Sequence, residues 1–244
     1  MPTALITGGT SGIGQAAAAL LWERGYRVMV TGQNPDTITK AEKELPEDVV
    51  VVRADARSLA DADRVADEVR DRFGSLDVLF LNAGITRPEP VEAFDEATFD
   101  DLVAVNFKGQ FFTLRKVLPL FGDGGSVIFT VGIGATRGIP GGSVSAATRG
   151  ALLAMLPSLA VELAPRRIRV NAVSPGAIDT GIWAKTLPPD ILEETLSATA
   201  SRVPLGRLGD SREIAEVVAF LASDAAAYIT GENIVVGGGS GLRP

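Results

Sequence analysis

The residues best suited to chemistry stand near the start of the chain, in the run Thr7-Gly8-Gly9-Thr10-Ser11-Gly12-Ile13-Gly14. Its glycines permit a tight turn and let backbone N–H groups approach a pyrophosphate, and a helix starting there adds the positive end of its dipole. The run lies between Ala4-Leu5-Ile6, which reads as a short buried strand, and the small or apolar residues Ile13 to Leu21, which suit a helix packed on a sheet. Strand, glycine turn and helix in that order form the phosphate-cradling start of a dinucleotide-binding unit. Two absences narrow the remaining chemistry. Histidine does not occur, so the commonest acid–base side chain is missing. Nor does cysteine, which rules out disulfides and thiolate metal ligation, and no metal site is expected. Tyrosine occurs only at Tyr26 and Tyr228.

The elements that must position the turn alternate along the chain, which favours a parallel sheet covered on both faces. Strands are expected at Arg27–Val30, Val49–Val52, Val78–Leu81, Val127–Val131, Ile168–Val173 and Ile234–Val236. Helices are expected over Pro35–Leu45, from Ser58 to about Phe73, over Glu96–Phe121, Ser143–Leu163 and Ser211–Leu221. Ser58 is expected to cap its helix, with Asp61 completing a capping box. In the long helix Phe99, Leu102, Val103, Phe107, Phe111, Leu114 and Leu118 recur at helical spacing, and Pro157 is expected to kink or strain the helix that holds it. The stretch from Pro175 to Leu208 is too long for a plain connection and reads as a lid or substrate loop, at about 181–207, with a helix near Asp190–Thr199. The fold expected is therefore α/β, a Rossmann-type doubly wound parallel sheet in one domain over residues 1–244.

At 244 residues with 46% hydrophobic content the chain supports one sizeable core. A net charge of −7 argues against a nucleic-acid surface, which needs concentrated lysine and arginine. No apolar run of membrane-spanning length stands out, and the first strand, starting near residue 3, leaves no room for a leader. A soluble cytoplasmic domain is the expectation, with no membrane or nucleic-acid partner.

Further segments strengthen this reading: Asn82-Ala83-Gly84, Asn106-Phe107-Lys108-Gly109, Arg167–Thr180 and Tyr228–Gly239. With the glycine turn, and in this order, they resemble the short-chain dehydrogenase/reductase family over the whole chain. The resemblance implies that Gly8, Thr10, Ser11, Gly12 and Ile13 lie at the pyrophosphate and adjoining ribose. Asp55 and Ala56 would contact the adenine, the Asp55 carboxylate accepting from its amino group. Asn82, Ala83 and Gly84 would line the passage to the nicotinamide, unless Asn82 only supports its neighbouring turns. Pro175, Gly176, Ile178 and Thr180 would hold the carboxamide, with structural support of the turn as the other reading of Pro175. Cofactor choice turns on the end of the second strand, where Gly32-Gln33 offers no carboxylate to repel a 2′-phosphate and no arginine to attract one. NADP(H) is expected to be preferred modestly, with NAD(H) as the alternative. Helix faces in 96–121 and 143–163 resemble those that pair in the family, implying a homodimer or homotetramer.

At the catalytic positions the chain departs from the family. The family's Tyr-x-x-x-Lys falls on Ser145 and Arg149, and the serine thirteen residues before the tyrosine falls on Gly132, so only Asn106 remains of four. An alkyl hydroxyl is a far weaker acid than tyrosine, and arginine does not shuttle protons near neutral pH. Ser145 and Arg149 nevertheless share a helix face, and Arg149 is placed to bond the nicotinamide ribose. Neither tyrosine is placed to rescue the site; Lys108, Ser143 or a water near Asn106 are the alternative proton sources. Three readings follow: an atypical NADP(H)-dependent oxidoreductase acting on an unidentified small molecule, a nucleotide-binding pseudoenzyme serving as sensor or regulatory subunit, and a scaffold that binds no nucleotide. The residues Ile182, Trp183 and Leu187 would make the substrate mouth apolar, with ordinary packing as their other reading.

Overall fold

A computed structural model describes residues 1–181, 188–240 and 242. Seven strands form one parallel sheet in the order β3-β2-β1-β4-β5-β6-β9. They are β1 (Thr3–Thr7), β2 (Arg27–Gly32), β3 (Val50–Arg53), β4 (Leu76–Leu81), β5 (Phe121–Thr130), β6 (Ile168–Pro175) and β9 (Asn233–Val236). A separate pair, β7 (Ile178–Asp179) and β8 (Gly209–Asp210), lies beyond the end of β6. The central strands are apolar on both faces because both are covered, as all five buried residues of β1 show. On one face pack α3 (Leu59–Phe73), α5 (Gln110–Val117) and α6 (Ser143–Leu163). On the other pack α1 (Gly12–Glu23), α2 (Pro35–Glu44) and α8 (Ser211–Ala222). Strand order reverses between β1 and β4, and their diverging carboxyl ends open a crevice where ligands of such sheets bind. The expected doubly wound α/β architecture is the one observed.

Local details differ from the expectations. The long helix over 96–121 is not uniform: α4 (Glu96–Val103) passes through a π-helical turn at Ala104–Gly109 into α5, and a 3₁₀ turn at Leu118–Leu120 leads into β5. The turn centres on Asn106, whose fully buried side chain answers to tertiary partners, a setting in which π turns recur. Ser58 does cap α3, accepting from the Asp61 N–H at 3.1 Å. The reciprocal half of the capping box is absent: the Asp61 carboxylate reaches past Ser58 to accept the Asp55 N–H at 2.8 Å, fixing the loop after β3. Pro157 sits on the exposed side of α6, which runs on through it. By length and hydropathy alone the stretch Ser143–Arg166 would suffice to cross a membrane, more than the sequence reading allowed. Its Leu152, Leu156, Leu159 and Leu163 are buried against the sheet, as in a core helix. The substrate-loop helix is α7 (Pro189–Ser201); Ile182, Trp183 and Leu187 lie outside the described residues.

Candidate active site

The glycine turn is braced from two further strands. The Thr7 hydroxyl accepts the backbone N–H groups of Asn82 (3.0 Å) and Ala83 (3.1 Å), tying the end of β1 to the end of β4. Asn82 donates its amide to the Gly8 carbonyl (3.1 Å) and accepts from the Thr130 hydroxyl (3.0 Å) at the end of β5. Its side chain is thus occupied in holding the turn, the supporting reading of this residue. A Cβ on Gly14 would run into the Gly8 carbonyl and lie 2.7 Å from the Asn82 amide nitrogen, so α1 meets the turn only with glycine there. Ser11 caps α1 without a side-chain bond, which leaves the first-turn N–H groups to the crevice. Ile13 packs partly into the core beneath. Thr180 lies over Gly12, its Cβ 3.2 Å from where a side chain there would begin, so the segment after β6 meets the glycine turn.

From the turn a cleft of about 550 Å³ runs past Thr10, Gln33 and Asp55 to Gly84. The Asp55 carboxylate is not idle: it accepts from Arg57 (Nη2, 2.8 Å) and from the Gln33 amide (3.0 Å). Burial works to raise its pKa, but the Arg57 hydrogen bonds outweigh that and hold it below the usual carboxylate value. An adenine amino group must therefore share or displace the Gln33 contact. Arg57 also bonds Asp101 at 2.8 Å, fastening this loop to α4. The Ala56 carbonyl packs against Gly109, and Gln110 donates to the Ala83 carbonyl, so this loop and the end of β4 rest on the π turn and on α5. A charged cleft residue escaped the sequence reading. Arg53 ends β3 in register with Gly32, lines the cleft, and forms no ion pair among the described residues. The only signal was a cation closing an apolar strand; its relation to Gly32 needs the sheet order.

At the inner end stands Arg149. Its Nη1 donates to the Thr130 carbonyl (2.8 Å), and a Cβ on Gly84 would overlap the guanidinium, with Cζ only 2.7 Å away. Burial lowers its pKa to about 10, so it remains a cation at neutral pH. Beyond it opens a cavity of about 290 Å³ whose wall includes Gly132, Ser145, Arg149, Pro175 and Gly176. Residues named from the sequence thus line one cavity, and Ile85 is shared by cleft and cavity. The Ser145 hydroxyl is buried with no hydrogen-bond partner among the described residues. Gly132 has φ +89° and ψ 148°, a conformation almost confined to glycine.

Most of the remaining residues named from the sequence stand off the cavity wall. Asn106 is not part of the cavity wall. It is buried behind it, exchanging hydrogen bonds with Ile85 (N–H 2.9 Å, carbonyl 3.0 Å) and donating to the Thr148 hydroxyl (3.2 Å), which bonds the Ser145 carbonyl. It positions helix α6 and the strand β4 exit. Gly176 serves the sheet, with its N–H on the Val236 carbonyl at 2.9 Å, and the Ile178 side chain packs against Gly209 instead of lining the cleft. Lys108 and Ser143 are exposed and off the cavity wall, Tyr228 is fully exposed, and Tyr26 packs beside the α1-side core. Among the described residues, the side chains lining the cavity include no carboxylate and no tyrosine.

A family model described as enoyl-(acyl carrier protein) reductase matches residues 8–240. A 3-oxoacyl-[acyl-carrier-protein] reductase, FabG, of Thermotoga maritima is 37% identical over 240 residues, covering 96% of this chain and 96% of that protein. Oxidoreductase asL5 of Sarocladium schorii is 35% identical over 239 residues, 97% of this chain and 94% of its own. Among solved structures, levodione reductase superposes with a TM-score of 0.93 at 32% identity, covering 100% of this chain and 98% of that one. A short-chain dehydrogenase/reductase, glucose/ribitol dehydrogenase, from Brucella melitensis gives 0.90 at 34% identity, covering 98% and 96%.

Proposed function

The chain belongs to the short-chain dehydrogenase/reductase family of oxidoreductases, and on that premise we propose that it binds NADP(H) in the cleft and transfers hydride to or from a small organic molecule without a tyrosine acid. The observation that carries this reading is the junction at Gly84: a backbone-lined cleft ends against the Arg149 guanidinium, and a separate cavity begins beyond it. The cleft fits a dinucleotide because its floor is glycine backbone where any side chain would collide. When bound, the nicotinamide supplies or takes up the hydride. The chain's own share is binding and orientation. The N–H groups of the glycine turn receive the pyrophosphate, Asn82 holds that turn in shape, and Arg149 offers donors at the nicotinamide end. With no carboxylic acid or tyrosine among the described residues of the cavity wall, substrates that need no protein acid are favoured: an iminium ion, or an activated C=C bond protonated by water.

Arg53 supports the NADP(H) preference, since it sets a cation beside Gly32 where the residue after β2 lacks one. Arg53→Ala is expected to weaken NADPH about tenfold and leave NADH unchanged, the effect of one charged hydrogen bond. An equal loss for both nucleotides would assign Arg53 a structural role instead. The primary test is titration with NADPH and NADH followed by nicotinamide fluorescence. Saturable binding, tighter for NADPH, is expected; NADH tighter by tenfold would refute the preference, and binding of neither would overturn the reading.

A second reading, a sensor that binds nucleotide without turnover, is favoured by Gly132, whose backbone does not suit a serine. It predicts NADPH binding with silence on imines, enones and ketones alike. Self-association completes the proposal: Phe99 on α4 and Val161 on α6 are exposed apolar residues on the helices expected to pair in a dimer or tetramer.

A further inference from the structure

The geometry points to an anionic substrate: a small carboxylate-bearing molecule held in the cavity by the Arg149 guanidinium and the Ser145 hydroxyl. The inference rests on the reading above only in taking this cavity as the substrate site. Arg149 is the sole charged side chain on its wall among the described residues. Among those residues it forms no ion pair, and one carbonyl, that of Thr130, takes a single one of its five N–H donors. Burying a cation without a counter-charge is costly, and its lowered pKa expresses that cost. A carboxylate matches the planar guanidinium fork and relieves it, whereas a neutral carbonyl does not. The nucleotide's ribose hydroxyls, being neutral, leave the charge unmatched, and its phosphates belong at the glycine turn.

Ser145 lies one helical turn before Arg149 on α6, and its buried, unpartnered hydroxyl supplies the second donor to the same anion. The rest of the wall sets the size and polarity of the remainder of the molecule. Ile85, Pro88, Val131, Ile133, Ile139 and Pro140 are apolar, and about 290 Å³ is near the lower limit of small-molecule sites. The substrate is therefore compact and apolar apart from its acid group and the bond that takes the hydride, which favours the activated C=C bond over the iminium ion.

Calorimetric titration of the NADPH-saturated and the nucleotide-free protein with cyclohexanecarboxylate and with its neutral isostere, cyclohexanecarboxamide, tests this. The carboxylate is expected to bind about tenfold or more tightly than the amide, in both forms of the protein, and Arg149→Gln is expected to erase the difference. Equal affinities overturn the inference, as does a carboxylate preference that survives Arg149→Gln. Competition between carboxylate and NADPH would move the anion to the glycine turn and also overturn it; this comparison needs no variant and stands even if Arg149→Gln does not fold. NADPH binding without carboxylate binding refutes the anion site alone. Carboxylate binding without NADPH binding refutes the cofactor reading alone.

Discussion

Ser145→Tyr combined with Arg149→Lys is expected to raise turnover of simple ketones by about 10²-fold or more, since a positioned acid–base group contributes about 10²–10⁴ in rate. A phenol beside a lysine cation is tunable from its ordinary pKa of about 10 towards neutrality, which a serine hydroxyl is not. The cavity in front of residue 145 offers the new ring space. Adding Gly132→Ser to the pair is expected to give no further gain. At φ +89° a serine costs about 1–3 kcal/mol. Its Cβ would find only the Pro175 carbonyl, 3.9 Å away, for company. Steady-state NADPH oxidation with a panel of ketones, alongside thermal unfolding, separates the three proteins. The unmodified chain should be nearly inert, the double variant active, and the triple variant less stable and no faster. Ketone reduction by the unmodified chain at the rate of the double variant would show that positions 145 and 149 are not vacated acid–base positions.

Gly14→Ala is the substitution expected to cost nucleotide binding most. The added methyl group meets the Gly8 carbonyl and the Asn82 amide, the two groups whose hydrogen bond shapes the turn. Overpacking costs about 1–3 kcal/mol. Separating a part-buried carbonyl from its donor costs a similar amount, about 1–3 kcal/mol. The turn is expected to open and NADPH affinity to fall about a hundredfold, with the domain still folded at a lower melting temperature. Unchanged NADPH affinity in this variant would mean that the nucleotide is not bound at the turn.

The sheet was legible because its strands are short β-branched or aliphatic runs such as Val50–Arg53 and Ile168–Pro175, bounded by polar or glycine-bearing turns. That Ser145 and Arg149 share a helix face was legible from their spacing, while Gly132 joined them only through the resemblance to the family. What stayed hidden depends on partners distant in sequence. Arg53 acquires its place beside Gly32 only through the register of β3 on β2. Gln33 reaches Asp55 across twenty-two positions, and Asp61 prefers the Asp55 N–H to that of Ser58 because the loop folds back over the helix start. Asn106 has the sequence neighbours of a catalytic residue, yet its hydrogen bonds to Ile85 and Thr148 make it a positioning residue. The backbone angle at Gly132 leaves no trace in composition.

The π turn at Ala104–Gly109 sets the phase of the helix that contains it. Leu102 and Leu114 stand twelve positions apart, and at about 100° per residue a regular α-helix would point them about 120° away from each other. Both are buried. A π turn absorbs one residue into a wider winding, so the effective separation is eleven steps and the divergence falls to about 20°. One additional residue thus aligns the inward edge of α4 with that of α5 while Asn106 is set into the widened coil. Shortening the segment between Val103 and Gln110 by a single residue would restore even winding in the turn. Leu114 and Val117 would keep their phase and stay in the core, and the cost would be the loss of the Asn106 seat in the widened coil.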